Sequence, residues 1–585
     1  MKNDFVSYLN TLHNASGCNE HSIAENNMGD ADEFRDKLRF ERAITNQLMS
    51  NIEQERGNII ILTGHAGDGK TSILQDIYEA FTGKKMDSKK LKGDFRLSDQ
   101  SKVYYVKDMS EHAREEQLQI MKDAFVAQRQ NESSIIISNT GPLFNVLQEL
   151  GAAESDIIQM LDTKELSKDY YDFKDEKGIS IIVANLALFD NSDIIEKYID
   201  KILNKELWEN CESCNKKTFC PIYFNQNVVR DNKEQVVLFS QMFYRWNFEH
   251  EERFTVRQMI AHITYSFTAN LNCAGIKELM GKRDLKRKLY NSYSNLFFGY
   301  HYEKECSKKD KNALQIKPIE LLQQQKLDAK KIEQEYELFV KNDFTAFPSN
   351  IEELVEICLR SINHTDEEKE EIQLQECYRV MKRAYYMYHI KGKNENEKLQ
   401  RTVFSPMFEW FLKVQEQPAK VSNELKDKVK NITFQALHKI FTGIMSDDET
   451  KCMYLTVKRR GDISQNVQVL QGTIYKSNMK IDTKNIHNII NGMEEKKIVL
   501  KCKEELIELT LPILEYFFDI SNGLIQSKVE PRLSQGVENI KAKIYRAARK
   551  TEEEDEIGLV YYDGEKFRQI SVQIEEDGNS IYVEE

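Results

Sequence analysis

Asn58-Ile-Ile-Ile-Leu-Thr-Gly-His-Ala-Gly-Asp-Gly-Lys-Thr71 is the stretch from which the rest of this sequence is most readily understood. It begins with a β-branched, apolar run, Asn58 to Thr63, which is typical of a strand buried on both faces. It ends with Gly64 to Thr71, which fits the pattern G-x-x-x-x-G-K-[ST]. A helix is predicted from Lys70 to Phe81. A strand, a glycine-rich loop and a helix in this order predict a loop that cradles a polyphosphate.

The chemistry of such a loop assigns a role to each of its residues. Backbone N–H groups turn inward around phosphate oxygens, which requires glycine where a Cβ would intrude. Lys70 is expected to neutralise phosphate oxygens and Thr71 to ligate Mg²⁺, next to the positive end of a helix dipole. ATP and Mg²⁺ are the expected cofactors, and the alternative is a glycine-rich turn without a ligand. The predicted nucleotide-binding residues are Gly64, His65, Ala66, Gly67, Asp68, Gly69, Lys70, Thr71 and Ser72.

Hydrolysis also needs an acid on a neighbouring strand, to hold the Mg²⁺ shell or to polarise water. The run Val103-Tyr-Tyr-Val-Lys-Asp108 ends in such an acid, and Glu111 follows one turn later. Both are predicted to be catalytic with Lys70, and Asp108 is also predicted to ligate Mg²⁺. In the alternative interpretation Asp108 only caps a helix that begins near Ser110.

A second polar strand end follows in Ile135-Ile-Ile-Ser-Asn139. It carries an amide, which favours a sensor strand whose catalytic Asn139 hydrogen-bonds the attacking water or the γ-phosphate. If this strand instead stands where the catalytic acid belongs, turnover is expected to be slow. The protein would then be closer to a nucleotide-held switch.

Cys211, Cys214 and Cys220 bring three thiols within ten residues. A C-x-x-C turn can place two thiolates on one Zn²⁺, and a third cysteine can add another ligand. Zn²⁺ is therefore a further expected cofactor, with a fourth ligand to be found. The alternative is a set of partly buried thiols. The nearest candidates for the fourth ligand are His250, His262 and Cys273.

Composition limits the class of protein. The chain has 585 residues, of which 40% are hydrophobic and 30% charged, with only 24 Gly and 8 Pro, so long helices and a large core are expected. Its 82 Lys and Arg stand against 95 Asp and Glu, a net charge of −13, so any contact with nucleic acid must be local. No apolar stretch approaches the length of a membrane span and no secretory signal is found, so we expect a soluble, cytoplasmic protein without membrane contact.

Strands alternate with helices up to about residue 205, which predicts an α/β fold with a parallel sheet. Aromatic-rich helices follow, and a period-2 pattern returns near Lys451, with a hairpin turn expected at Tyr562 to Glu565. The predicted fold is a parallel-sheet P-loop NTPase domain followed by a helical lid, a helical domain and a small α+β C-terminal module. The predicted segments are an N-terminal helical segment (1–50), the P-loop NTPase domain (51–205), the lid with the cysteine cluster (206–345), the helical domain (346–450) and the C-terminal module (451–585).

Three basic stretches could contact DNA through phosphates, and two of them also through base stacking. Helices with one basic and one aromatic face more often pack against a neighbouring helix. The stretches are Lys282 to Lys288 with Tyr290 and Tyr293, Arg379 to Arg383 with Tyr385, Tyr386 and Tyr388, and Lys458 to Arg460.

Several of these segments together resemble a known family. The segments ILTGHAGDGKT (61–71), YYVKDMSE (104–111), IIISNTGPL (135–143), CESCNKKTFCPIYFN (211–225) and FTVRQM (254–259) resemble the DptF-type ATPases of DNA phosphorothioation-dependent restriction. These belong to prokaryotic antiphage defence and are AAA+- or STAND-like. The resemblance covers about residues 50–270. It implies an ATPase in a multi-subunit complex with nuclease- or helicase-like partners, and a homo-oligomer is also expected.

The segment Phe254 to Gln258 adds one more candidate. Thr255 and Gln258 form the S/T-x-x-E/Q box that starts a helix, which places Arg257 in its first turn. This position is similar to that of the sensor 2 arginine of AAA+ ATPases, which touches the phosphates of the nucleotide. The alternative role of Arg257 is a surface salt bridge.

Overall fold

The computed structural model describes residues 2–13, 29–87, 89–151, 170–174, 180–279, 286–303, 306–332, 334–360, 362, 367–389, 399–416, 421–446, 450–456, 467–488, 493–524, 529–548, 556–574 and 581–584. The protein is a mixed α/β protein. It divides into two compact units, one of residues 1–399 with 489–492, and one of residues 400–488 with 493–585. The two units divide the chain more coarsely than the five predicted segments do.

The first unit is built on a six-stranded sheet. Its strands are β1 (Asn58–Thr63), β2 (Lys92–Arg96), β3 (Lys102–Val106), β4 (Ser133–Ser138), β5 (Tyr170–Lys174) and β6 (Ser180–Asn185). They lie in the order β2-β3-β4-β1-β6-β5. The four central strands are parallel, and the edge strands β2 and β5 run antiparallel to their neighbours. The sheet is thus mostly parallel, as the alternation of strands and helices predicts.

Helices cover both faces of this sheet. They are α3 (Ala43–Gln54), α4 (Lys70–Thr82), α5 (Arg114–Arg129) and α6 (Thr140–Gly151), and the same part of the chain also forms α1 (Asp4–His13), α2 (Gly29–Leu38) and α7 (Ile194–Ile202). Successive side chains of β1 point to opposite faces. Ile60 and Leu62 belong to a core cluster with residues of α3 and α4, whereas Ile59 and Ile61 belong to another with residues of α5 and α6. The buried strand is therefore apolar throughout.

The N-terminal segment departs from its predicted form. The spacing of apolar residues predicts one helix from Asp32 to Glu55, but the chain forms α2 and α3 with a break between Leu38 and Ala43. Arg42, at the start of α3, has extended backbone angles and donates a hydrogen bond to the carbonyl of Asp68. Because this contact joins residues that are far apart in the sequence, the local spacing of apolar residues does not predict the break.

The rest of the first unit is mainly helical. Its helices are α8 (Glu209–Glu212), α9 (Pro221–Asp231), α10 (Lys233–Glu249), α11 (Val256–Thr268), α12 (Cys273–Leu279), α13 (Lys286–Tyr290), α14 (Tyr293–Phe297), α15 (Lys317–Gln325), α16 (Glu335–Phe339), α17 (Ser349–Arg360) and α18 (Glu367–Tyr388), with a hairpin of β7 (Tyr300–Glu303) and β8 (Cys306–Lys309). The aromatic-rich segment from Gln235 to Leu271, which is predicted to be helical, contains two helices, α10 and α11. The turn between them leads into the Thr255 capping box.

The second unit combines helices with antiparallel sheets. Its elements are α19 (Pro406–Glu416), α20 (Asn423–Thr442), α21 (Leu511–Ser521), α22 (Pro531–Ala548), β9 (Cys452–Thr456), β10 (Val467–Tyr475), β11 (Met479–Asn488), β12 (Met493–Cys502), β13 (Glu505–Glu508), β14 (Glu556–Tyr562), β15 (Phe567–Ile574) and β16 (Ile581–Glu584). The sheet orders are β16-β15-β14-β10-β9 and β11-β12-β13. The predicted hairpin turn is confirmed, since Asp563 N–H donates to the Lys566 carbonyl and Gly564 has φ 103°.

Within the ranges given above, none of the helices combines the length and the apolar character needed to cross a bilayer.

Candidate functional site

The glycine-rich loop joins the end of β1 to the start of α4. Gly64, Gly67 and Gly69 all have positive φ, at 146°, 91° and 81°. A Cβ at Gly67 would lie 2.9 Å from the Cβ of Arg257, and one at Gly64 would lie 2.8 Å from the carboxylate of Asp68. Glycine is therefore required at these two positions by both backbone angle and space.

The ammonium group of Lys70 lies inside this loop. Lys70 is 7% exposed, and its Nζ donates to the carbonyls of Gly64 at 2.9 Å and His65 at 3.0 Å. It also donates to the amide Oδ1 of Asn139 at 3.1 Å. Burial lowers the pKa of Lys70, and nearby carboxylates oppose that shift, Asp108 among them. A phosphate ligand would have to replace some of these acceptors.

The carboxyl end of β4 is fixed by the segment that follows β3. The backbone N–H of Asn139 donates to Ser110 Oγ at 2.8 Å, and the hydroxyls of Ser110 and Ser138 are 3.3 Å apart. Asn139 is thereby held between the loop and the turn after β3. The structure brings the predicted sensor amide directly to Lys70.

Asp108 follows β3 and has a structural role of its own. Its Oδ1 accepts the backbone N–H of Ser110 at 2.8 Å and so caps a short 3₁₀ helix, Met109–Glu111. The capping alternative is thus correct for one oxygen, although the capped element is a 3₁₀ turn and α5 begins only at Arg114. Asp108 and Glu111 both line the cavity that contains Lys70.

Asp68 organises the loop through its side chain. It is 1% exposed, and its Oδ2 accepts the backbone N–H of His65 at 2.7 Å. Its Oδ1 forms an ion pair with Arg253 Nη2 at 2.9 Å. Arg42 Nη1 donates to the Asp68 carbonyl at 2.8 Å. Two arginines that the sequence does not single out therefore hold the loop, one from before α3 and one from before α11.

Arg257 is placed as the capping box predicts. The reciprocal bonds between Thr255 and Gln258 are both present, and α11 begins at Val256. The backbone N–H of Arg257 donates to the carbonyl of Gly67 at 3.1 Å. Its Nε is buried and has no hydrogen-bond partner among the described residues. Arg257 also lines the cavity that contains Lys70.

One cavity of about 590 Å³ connects these groups. Its polar lining includes Asp108, Glu111, Asn139, Arg257 and the loop from Ala66 to Ser72. Gly64 and His65 do not line it, and act instead through their carbonyls on Lys70. The apolar part of the lining consists of Tyr8, Leu12, Leu38, Phe40, Ile137, Tyr198, Val256 and Ile260.

Several of these lining residues could not be found from the sequence. Phe40 and Arg42 lie in the break between α2 and α3, and Tyr198 lies on α7. Their side chains reach the cavity through tertiary packing, and no motif marks them. Arg253 had one local signal, since it stands two residues before the capping box.

The three clustered cysteines lie close enough to influence one another's pKa values. Cys211 is buried and its sulfur accepts the Nδ2–H of Asn3 at 3.2 Å. Burial raises the pKa of Cys220 to about 11, although hydrogen bonds from the backbone at the start of α9 oppose this shift. Among the residues that the structure describes, no group of three or more His, Cys, Asp or Glu side chains is placed to hold a metal ion. The Zn²⁺ prediction for Cys211, Cys214 and Cys220 has no geometric support there.

The candidate fourth ligands are engaged in other contacts. His262 Nε2 donates to the Phe297 carbonyl at 2.8 Å, and its Nδ1 accepts from Tyr244 Oη at 2.7 Å. His250 Nδ1 lies 2.8 Å from the Trp246 carbonyl. Of the three candidates, Cys273 comes near the cluster, because Asn3 contacts both. The backbone N–H of Asn3 donates to Cys273 Sγ at 3.5 Å, and its side chain donates to Cys211 Sγ.

The C-terminal half of the basic and aromatic helix α18 packs inward, although Arg379 is exposed. Arg383 is 1% exposed, forms an ion pair with Asp328 and lies 3.6 Å from the centre of the Tyr300 ring. Lys382 pairs with Glu335 at 2.6 Å. The tyrosines named above for base stacking, Tyr290, Tyr293, Tyr385, Tyr386 and Tyr388, are all buried. These five tyrosines therefore cannot stack on bases in this structure. Residues 282–285 and 458–460 lie outside the described ranges.

Comparisons of this chain with profiles of protein families, with curated proteins and with solved structures gave no significant match.

Proposed function

We propose that this chain is a P-loop ATPase that binds ATP with Mg²⁺ in the cavity beside Ala66 to Ser72 and hydrolyses it. The observation that carries the proposal is the convergence of Lys70, Asn139 and Asp108 on one cavity. They follow three neighbouring parallel strands, β1, β4 and β3, at their carboxyl ends. Ligands of open α/β sheets bind at that edge.

The loop and α4 supply the phosphate-binding groups. The first N–H groups of a helix have no acceptor within the helix and carry its positive dipole end, and α4 begins at Lys70. Lys70 would exchange its bonds to the Gly64 and His65 carbonyls for phosphate oxygens. Its buried charge would then be neutralised by the ligand, because an ammonium strongly favours a charged acceptor over a carbonyl.

Thr71 and Asp108 are the residues that would hold Mg²⁺. Both line the cavity, and hydroxyl and carboxylate oxygens are ligands that this ion prefers. Bound Mg²⁺ would neutralise charge on the phosphate oxygens. Asn139 would orient the attacking water, and Glu111, which lines the same cavity, would assist Asp108. Arg257 would stabilise charge through its Nε, which has no hydrogen-bond partner among the described residues.

The biological setting rests on the resemblance in sequence. In this setting the chain is the ATPase of a multi-subunit antiphage restriction system, in which nucleotide state controls assembly or remodelling on DNA with nuclease- or helicase-like partners. A homo-oligomer or a complex with such partners follows from the same resemblance.

The second candidate is a nucleotide-held switch that recruits an effector and does not turn over. Two contacts favour it. One oxygen of Asp108 is occupied as a cap by Ser110 N–H, and an amide, Asn139, is the side chain in direct contact with Lys70. A switch would bind ATP tightly and release little phosphate.

Steady-state phosphate release from the purified chain separates the two candidates. Wild type, Lys70→Ala and Asp108→Asn are compared with and without double-stranded DNA, and Lys84→Ala serves as control because Lys84 is exposed just beyond α4. The ATPase proposal expects turnover that Lys70→Ala abolishes, that Asp108→Asn lowers at least 10-fold, and that Lys84→Ala leaves intact. Binding without turnover, in all conditions, would overturn it in favour of the switch.

A further inference from the structure

The hairpin of β11 and β12 in the second unit has one buried and one exposed face. Each strand contributes ten residues to the pairing, and α19 packs against β12 and α20 against β11. The residues that alternate onto the face towards these helices are buried, and they are Met479, Ile481, Ile498, Leu500 and Cys502. The opposite face is therefore the one that another molecule can reach.

This exposed face carries two pairs of lysines. The antiparallel register sets Lys480 directly opposite Lys501, and Lys484 directly opposite Lys497. All four lysines are exposed, and within the described ranges only Lys497 of the four forms an ion pair, with Glu508 at 2.8 Å. Like charges directly opposite each other destabilise a pair of strands. The arrangement therefore lowers the stability of the isolated protein, and a bound polyanion would remove the repulsion.

From one lysine pair to the other, the face keeps an excess of positive charge. Asp482 lies on β11 between Lys480 and Lys484, and Glu508 lies on β13 opposite the buried Val499. Four lysines against these two carboxylates leave two positive charges, in a chain whose net charge is −13. A local basic surface of this kind attracts the phosphates of nucleic acid.

The spacing of the two lysine pairs matches the major groove of B-form DNA. Four residues along a strand span about 13 Å, and the major groove is about 12 Å wide. Each pair can therefore face the phosphates along one edge of the groove. An anionic membrane is the other large polyanion to consider, but its phosphates have no fixed spacing, so it would not require paired lysines at this interval.

We propose that the exposed face of β11 and β12 binds duplex DNA through its phosphates, with one lysine pair at each edge of the major groove. This surface lies outside the three basic stretches named from the sequence, because its lysines are far apart along the chain and meet only through the pairing of the strands. Contacts to phosphates carry no sequence information, so binding is independent of the DNA sequence. The inference goes beyond the proposed function, since it gives the second unit a direct contact with DNA.

Fluorescence anisotropy of a labelled DNA duplex, titrated with the full chain in the absence of nucleotide, tests the inference. If wild type displaces counterions from about four phosphates, its affinity should fall about 150-fold between about 50 mM and about 200 mM salt. Lys480→Gln/Lys501→Gln should keep two contacts and reduce that fall to about 12-fold. The melting temperature of this variant should not decrease, because the change removes a pair of like charges.

Lys428→Gln/Lys566→Gln is the matched control. Both lysines are exposed in the second unit but lie on other elements, Lys428 on α20 and Lys566 in the turn between β14 and β15. Because this control changes the net charge by the same amount, it should keep the salt dependence of wild type. Lys484→Gln alone is a second test variant, whose affinity should fall about 40-fold over the same salt range.

Three results would overturn the inference: the salt dependence of wild type in Lys480→Gln/Lys501→Gln, an equal change in the control, or no binding of the duplex by wild type. Flotation with vesicles of phosphatidylcholine and phosphatidylserine examines the other polyanion. Capture of wild type but not of the double variant, without duplex binding, would assign the face to an anionic membrane instead. Because no nucleotide is added, none of these results depends on whether the cavity of the first unit binds ATP.

Discussion

The Nζ of Lys70 lies 3.1 Å from the amide oxygen of Asn139, so the loop after β1 and the end of the neighbouring strand β4 share one hydrogen bond. Asn139 is in turn fixed through its backbone N–H by Ser110. A ligand that draws Lys70 away would free the Asn139 amide to face the same ligand or a water beside it. The contact thus couples occupation of the loop to the orientation of a group with a catalytic role in our proposal.

Replacement of Asn139 by alanine is expected to affect turnover more than binding. The amide would act on water or developing charge, whereas Lys70 and the loop supply most of the affinity. We expect kcat to fall about 10- to 100-fold while the Kd for ATP changes less than about 3-fold. Single-turnover kinetics with parallel titrations measure both quantities. A fall of about 10- to 100-fold in ATP affinity, with kcat unchanged, would assign Asn139 to binding alone.

Gly67→Ala is expected to damage the loop. Its φ of 91° is strained for alanine, and the new Cβ would lie 2.9 Å from that of Arg257. The free energy of unfolding should fall by about 1–3 kcal/mol, and ATP affinity should fall with it. Gly141→Ala is the control, since it lies in α6 with nothing within 4 Å of a new Cβ. That variant should be neutral or slightly stabilising. Equal effects of the two changes in urea unfolding would refute the argument.

Arg253→Ala is expected to be strongly destabilising. It would leave the carboxylate of Asp68, whose side chain is 0% exposed, without its ion-pair partner. The expected loss is about 3 kcal/mol, and a double-mutant cycle with Asp68→Asn should show a coupling of about 1–3 kcal/mol. Arg360→Ala removes an exposed pair with Glu356 and should cost about 0.5 kcal/mol or less. A coupling near zero would mean that the pair does not hold the loop.

Stability should fall as the pH is lowered below 6.5, because two histidines are buried in the neutral form. Burial lowers the pKa of His13 to about 4 and that of His262 to about 3. Between those values and 6.5 the unfolded chain binds protons that the folded chain does not, so each histidine removes about 2 kcal/mol of stability by pH 5.

Urea unfolding at pH 7.5 and pH 5.0 measures this loss. His13→Asn should reduce the difference between the two pH values by about 2 kcal/mol. Other titrating groups are common to both proteins and cancel. An unchanged difference would show that His13 is protonated in the folded protein.

Some parts of the fold could be predicted from the sequence because their signals are local. The apolar run of β1, the glycines at positive φ and the capping box of Thr255 each depend on neighbouring residues only. The same holds for the hairpin at Gly564. In such places the pattern and the structure agree.

The parts that the sequence did not reveal depend on distant contacts. Arg42 and Arg253 reach Asp68 from 26 and 185 residues away. Tyr198 reaches the cavity from α7, and the inward packing of Arg383 depends on Asp328 and Tyr300. Spacing along the chain contains no information about such partners, so these residues had to be found in three dimensions.

Direct titration of wild type and Lys70→Ala with ATP and Mg²⁺ tests the central claim, that the glycine-rich loop binds a nucleoside triphosphate. We predict saturable, Mg²⁺-dependent binding by wild type, with one site per chain, and a loss of at least 10-fold in affinity for Lys70→Ala at unchanged melting temperature of the ligand-free protein. Equal affinity of the two proteins, or no binding by either, would contradict it.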